Sequence, residues 1–173
     1  MEQLGIFISI VFPSAAVLVG MYLTVKSFLA KDFEKKLIEM KLKNTEIVLP
    51  LRIQAYERVA LLLERIAPNN IVIMVNQPGM NVAVLQHTLM NQIKEEFGHN
   101  MAQQIYISDE VWAFVKSAIN DVNLVVNESA QGLDAEAPSV ELAKVIFNKY
   151  AALPFDPVAN ALTQVKAEIR QLF

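Results

Sequence analysis

LPLRIQAYERVALLLERIAP, residues 49–68, is the stretch on which the fold turns. Pro50 can open a helix at its first turn and Pro68 stops its continuation, so the segment reads as a helix over Pro50 to Ile66. Its apolar residues, Leu51, Ile53, Ala55, Val59, Ala60, Leu61, Leu62, Leu63 and Ile66, occupy more than one face, which predicts a helix largely buried in a mainly α domain. The pairs Glu57-Arg58 and Glu64-Arg65 repeat after seven residues and form a polar strip that Arg52 and Tyr56 extend. Such strips usually carry surface ion pairs. Arg52, Tyr56 and Leu62 are the candidate interaction residues of this helix.

Upstream, KSFLAKDFEKKLIEMKLKNTEIVL, residues 26–49, contains neither Gly nor Pro. Apolar residues recur at Leu29, Phe33, Leu37, Met40 and Ile47, with Asn44 where another would fall. This is a narrow seam close to the heptad spacing of a coiled coil, though not sustained for four repeats. The bland reading is a solvated spacer; the sharper one is a short parallel self-association seam whose candidate contacts are Phe33, Leu37, Met40 and Ile47.

Further upstream, LGIFISIVFPSAAVLVGMYLTV, residues 4–25, carries no charge. A helix of that length measures about 33 Å, against about 30 Å for a hydrocarbon core, so it reads as a transmembrane anchor over 1–25. A signal peptide would need a basic stretch before the apolar run, where only Glu2 stands, and soluble core helices seldom run so long without a charge. All nearby lysines (26, 31, 35, 36, 41, 43) follow the span, which predicts an outward N-terminus and a cytoplasmic C-terminal domain. Continuation of the anchor into residues 26–49 makes a cytoplasmic rod, broken first at Pro50. The bilayer is then the first expected partner.

Downstream, the β-branched run IVIMVN (71–76) and QIYI (104–107) are candidate short strands, and the helix between them, Asn81 to Phe97 closed by Gly98, would make a crossover unit. Open strand edges would invite completion by another copy or another protein. Ser108-Asp109-Glu110 opens a helix running to about Asn127, residues 128–138 form an acidic loop, and two helices follow, 139–153 and from Pro157 to the end. The fold class is therefore mainly α, with a transmembrane helix, a juxtamembrane rod and a helical domain over 50–173 that includes two possible strands.

Charge is uneven: residues 1–25, 26–66 and 67–173 carry −1, +3 and −5, which returns the net −3. With no extended basic tract, nucleic acid is not an expected partner. The chain has no cysteine, which excludes disulfides, thiolate catalysis and thiolate metal ligation. His99 lies four residues after Glu95, but Gly98 should end the helix before they pair, and no third ligand has a supporting motif. Five scattered glycines make no phosphate loop, and no serine sits in a nucleophile elbow. No catalytic, cofactor or metal residue is assigned.

LPLRIQAYERVALLLER (49–65), Gln77-Pro78-Gly79, EFGHNMAQQIYISDEVW (96–112) and the terminal Glu168-Ile169-Arg170-Gln171-Leu172-Phe173 resemble a family of uncharacterised bacterial single-span membrane proteins. The resemblance implies a retained anchor and a bacterial inner-membrane location, and it carries over no catalytic role. The expected function is a membrane-anchored scaffold or accessory subunit, a homo-oligomer or a subunit beside other membrane proteins. The alternative is a stalk-like tether similar in plan to the b-type subunits of rotary ATPases. An enzyme is the third reading.

Overall fold

The computed structural model describes residues 2–172, with the side chains of all but 2–12, 14, 16 and 44. The chain divides into two compact units, Met1–Leu49 and Pro50–Phe173. Helix α1 (Glu2–Ile66) starts in the first and ends in the second. In unit 1 the described side chains are exposed, save Asp32 and Leu49, which are half-buried.

The transmembrane anchor expected over residues 1–25 is corrected. Among the described residues no helix is long and apolar enough to cross a membrane. Residues 4–12, 14 and 16 of the expected span lie outside those whose side chains are described. The single-pass bacterial inner-membrane placement, with its outward N-terminus, cytoplasmic rod and cytoplasmic domain, rested on that span and falls with it.

Pro50 does not break α1, which continues through it as helix. The local consequence is one missing backbone hydrogen bond, since proline has no N–H to offer the carbonyl four residues earlier. Beyond Pro50, α1 buries Ala55, Tyr56, Val59, Leu62, Leu63 and Ile66. This i, i+1, i+4, i+7, i+8, i+11 stripe faces the core of unit 2, while Leu51 and Leu61 stay exposed.

Five further α-helices complete unit 2: α2 (Pro68–Val75), α3 (Val82–Asn100), α4 (Asp109–Ala130), α5 (Ser139–Ala151) and α6 (Pro157–Arg170), with a 3₁₀ turn at Met101–Ile105 between α3 and α4. Neither expected strand forms: residues 71–75 are helical, and 104–107 lie in a 3₁₀ turn and the bend that follows it. Pro68 in the first turn starts α2, whose buried residues Pro68, Ile71, Val72 and Val75 follow the i, i+3, i+4, i+7 spacing of a helix face. Ile73, which a strand would bury beside Ile71 and Val75, is 74% exposed. Of the second candidate, Gln104 and Ile105 lie in the 3₁₀ turn. The only bridge among the described residues outside any strand is the isolated pair Asn81 and Pro138, so the crossover unit and its open edges do not exist.

Side-chain oxygens fix three helix starts. Asn81 Oδ1 accepts from the Val84 N–H (2.9 Å), Ser108 Oγ from the Val111 N–H (3.3 Å), and Asp156 Oδ1 from the N–H groups of Val158 and Ala159 (2.9 Å each). Gly98 does not end α3, which runs on to Asn100. Gly79, with φ +88°, does have a special role: it follows Pro78 in a turn closed by Met80 N–H to Gln77 C=O (3.3 Å), a position that requires positive φ. Helix α4 is the hub, packing on α3, α5 and α6. It buries Val111, Trp112, Val115, Ile119, Val122 and Val126 among others. Trp112 stacks on Phe97 of α3, ring centroids 6.0 Å apart.

Candidate functional site

A polar cluster of unit 2 joins α1, the start of α4 and the last turn of α6. Arg52 and Tyr56 stand four residues apart on one face of α1, and the Arg52 Nη2 donates to the Tyr56 hydroxyl (3.2 Å). The Tyr56 hydroxyl donates to Glu168 Oε1 (2.7 Å). From α4, the Ser108 N–H donates to the same oxygen (3.0 Å) and the Ser108 hydroxyl to Oε2 (2.8 Å). Arg52 also donates from Nε to the Tyr106 carbonyl (3.3 Å) and lies 3.9 Å from Glu168 Oε1.

These contacts set the ionisation of the cluster. Burial pushes the Glu168 carboxyl upward, but the hydrogen bonds from Tyr56 and from the hydroxyl and N–H of Ser108, with the Arg52 charge, outweigh it and hold the carboxyl below its ordinary value. Burial and the bond to Glu168 push the Tyr56 phenol up, against a smaller opposing effect of Arg52. Glu168 thus serves as the anion at the positive end of α4, the place a free anion would otherwise take.

A cleft of about 520 Å³ opens beside the cluster, lined by Arg52, Ser108, Glu110, Gln164, Glu168 and Gln171 among others. Its chemistry is that of a clamp. The Ser108 hydroxyl is occupied by Glu168 and by the Val111 N–H, and a carboxylate held ionised by three donors is a poor base for activating a nucleophile. A second tie, Arg65 to Glu96 (3.2 Å), joins α1 to α3 and is supported by Gln92.

Among the candidate interaction residues, Phe33, Leu37, Met40 and Ile47 are exposed on unit 1, while Tyr56 and Leu62 are buried in unit 2 and Arg52 is half-buried in the clamp. Arg52 and Tyr56 therefore meet Glu168 rather than forming a free strip, and Arg65 pairs with α3 rather than along its own helix. The role of Glu168 had no local signal. It sits 60 residues from Ser108 and 112 from Tyr56, so only the fold joins them.

His87 and His99 are both exposed. The continuation of α3 puts Glu95 and His99 in one helix, yet among the described residues no three His, Asp or Glu side chains gather into a group able to hold a metal ion.

No curated protein and no solved structure matches the chain. A family model matches residues 2–172, nearly the whole sequence, so the chain belongs to a family of unknown function, DUF7935.

Proposed function

We propose that this protein is a self-associating interaction protein, a scaffold or accessory subunit of a larger assembly. The observation that carries the reading is the seam of unit 1. Phe33, Leu37, Met40 and Ile47 recur at near-heptad spacing and are all exposed, Phe33 at 67%. Apolar side chains aligned on one helix face in water mark a contact surface more often than isolated ones do. Knobs-into-holes packing against another helix would bury them. The clamp around Glu168 supports the same reading from the other side, because its polar groups are spent on holding three helices together. The stalk-like tether remains a second reading, favoured by the continuation of α1 through Pro50.

Sedimentation of the full chain tests the reading. At tens of micromolar we expect concentration-dependent oligomers, and a Phe33→Lys/Met40→Lys chain of unchanged helicity should run as a monomer. A wild-type chain that stays monomeric throughout this range overturns it.

A further inference from the structure

We propose that the seam of one copy docks on the acidic notch of α4 in a second copy, giving a head-to-tail assembly. The inference rests on the self-association reading above and adds the surface that receives the seam. The notch is a small apolar hollow of about 180 Å³ where α4 meets the turn between α5 and α6. Its exposed apolar wall is Leu124 (55% exposed) and Phe155 (60%), with Leu153 beside them. Asp121 and Glu128 frame it. Positions 121, 124, 125 and 128 share one helix face, so the acids stand one above the other with an apolar step between them, about 10 Å apart along the axis.

Unit 1 carries the complementary ladder. Lys36, Met40 and Lys43 lie at i, i+4 and i+7, so two cations flank an exposed thioether with the same rise of about 10 Å. Helices laid side by side bring Met40 over Leu124 and the Phe155 ring, a favourable sulfur–aromatic contact, while the lysines face the carboxylates. Neither ladder is strongly engaged already. Among the described residues Asp121 has no ion-pair partner, while Lys149 donates to the Glu128 carbonyl (2.9 Å) and lies 3.5 Å from its Oε2, between side chains that are 41% and 47% exposed. Lys36 meets Asp32 at 3.2 Å, also in solvent. Such exposed pairs are weak and exchange readily.

The wider field agrees. Residues 26–43 carry six lysines against Asp32, Glu34 and Glu39, whereas residues 67–173 carry net −5. Opposite fields on the two segments favour association of one copy's lysine helix with another copy's head. Every copy offers one helix and one notch, two different patches, so the contact is heterologous and does not close on itself as a dimer.

Charge reversal in the full chain tests this. A head variant, Asp121→Lys/Glu128→Lys, and a tail variant, Lys36→Glu/Lys43→Glu, should each assemble about tenfold more weakly than wild type. Mixed in equal amounts, they restore two complementary interfaces, the lysine tail of the first on the acidic head of the second and the glutamate tail of the second on the lysine head of the first, and should assemble in alternation about as strongly as wild type. A chain carrying all four reversals should regain wild-type assembly. Because the chain has no cysteine, Met40→Cys in the head variant and Leu124→Cys in the tail variant should give a disulfide-linked heterodimer on oxidation.

If the folded head variant assembles like wild type, the docking proposal is overturned while the seam reading stands. Failure of the mixture to pair overturns it too, and a wild-type chain that never associates removes both. Should the head variant lose helicity, Asp121→Asn/Glu128→Gln replaces it, with weaker assembly expected and unchanged assembly overturning the proposal.

Discussion

Glu168 accepts hydrogen bonds from both the N–H and the hydroxyl of Ser108, at 3.0 and 2.8 Å. One carboxylate thereby ties the last turn of α6 to the first turn of α4, and through Tyr56 to α1. Ser108 caps α4 while its own N–H, free of any intrahelical acceptor, is satisfied by the same acid.

Replacing Glu168 by Gln should therefore destabilise unit 2 by about 1–3 kcal/mol at neutral pH, the range for hydrogen bonds to a charged group. The sign of the pH effect follows from the lowered carboxyl. Its stabilisation is complete above the unfolded value of about 4.3 and is lost as pH falls through the still lower folded value. The raised Tyr56 phenol gives the mirror image: its contribution is intact below about 10 and is lost as pH rises through the folded value. Denaturant unfolding of wild type and Glu168→Gln should show the difference shrinking below about pH 4. A difference that stays constant down to acid unfolding would count against the clamp.

Leu62 is completely buried in the core of unit 2. Leu62→Ala should cost about 2–5 kcal/mol through lost burial and the cavity left behind. Leu62→Asp, which would bury a carboxylate without a partner, should unfold unit 2 rather than yield a folded monomer. Loss of helicity and of cooperative melting checks this; a folded, fully helical Leu62→Asp chain would contradict the observed burial.

Much of the helical order was legible because it rests on local chemistry. Asn81, Ser108 and Pro157 announce helix starts, and Val82, Leu85, Leu89 and Ile93 repeat at helix spacing and are buried. Residues 71–75 carry two conflicting signals, a β-branched composition that favours a strand and the Pro68, Ile71, Val72, Val75 spacing of a helix face, and the spacing wins. Pro50 and Gly98 have low helix propensity, yet a helix that gains enough packing absorbs one missing bond or one glycine. The expected span over 4–25 rests on hydropathy and length alone. The clamp was illegible for a different reason: Ser108 and Glu168 lie 60 residues apart, and no spacing rule joins them.

Asn123 Oδ1 on α4 is buried and has no hydrogen-bond partner among the described residues. An orphaned acceptor keeps its desolvation penalty, so an apolar side chain of similar volume should be better tolerated than the amide. Asn123→Leu is expected to raise the stability of unit 2 by about 1 kcal/mol, read as a higher melting temperature with unchanged helicity. A lower melting temperature would mean that the amide has a partner in solution.

Pro50 sits inside a continuous helix with ordinary residues on both sides. A proline in a helix interior costs about 3 kcal/mol relative to alanine, by losing one backbone bond and by crowding the preceding turn. Pro50→Ala restores the N–H, and no buried side chain depends on the ring, since Pro50 is exposed. The variant should therefore protect the amides of residues 47–54 against hydrogen exchange more strongly than wild type does, by tenfold or more if about half of that cost is recovered. Unit 2 should keep its fold, because the buried stripe begins only at Ala55. Unchanged protection around residue 50 would show that the segment is not helical in solution and that α1 ends before unit 2.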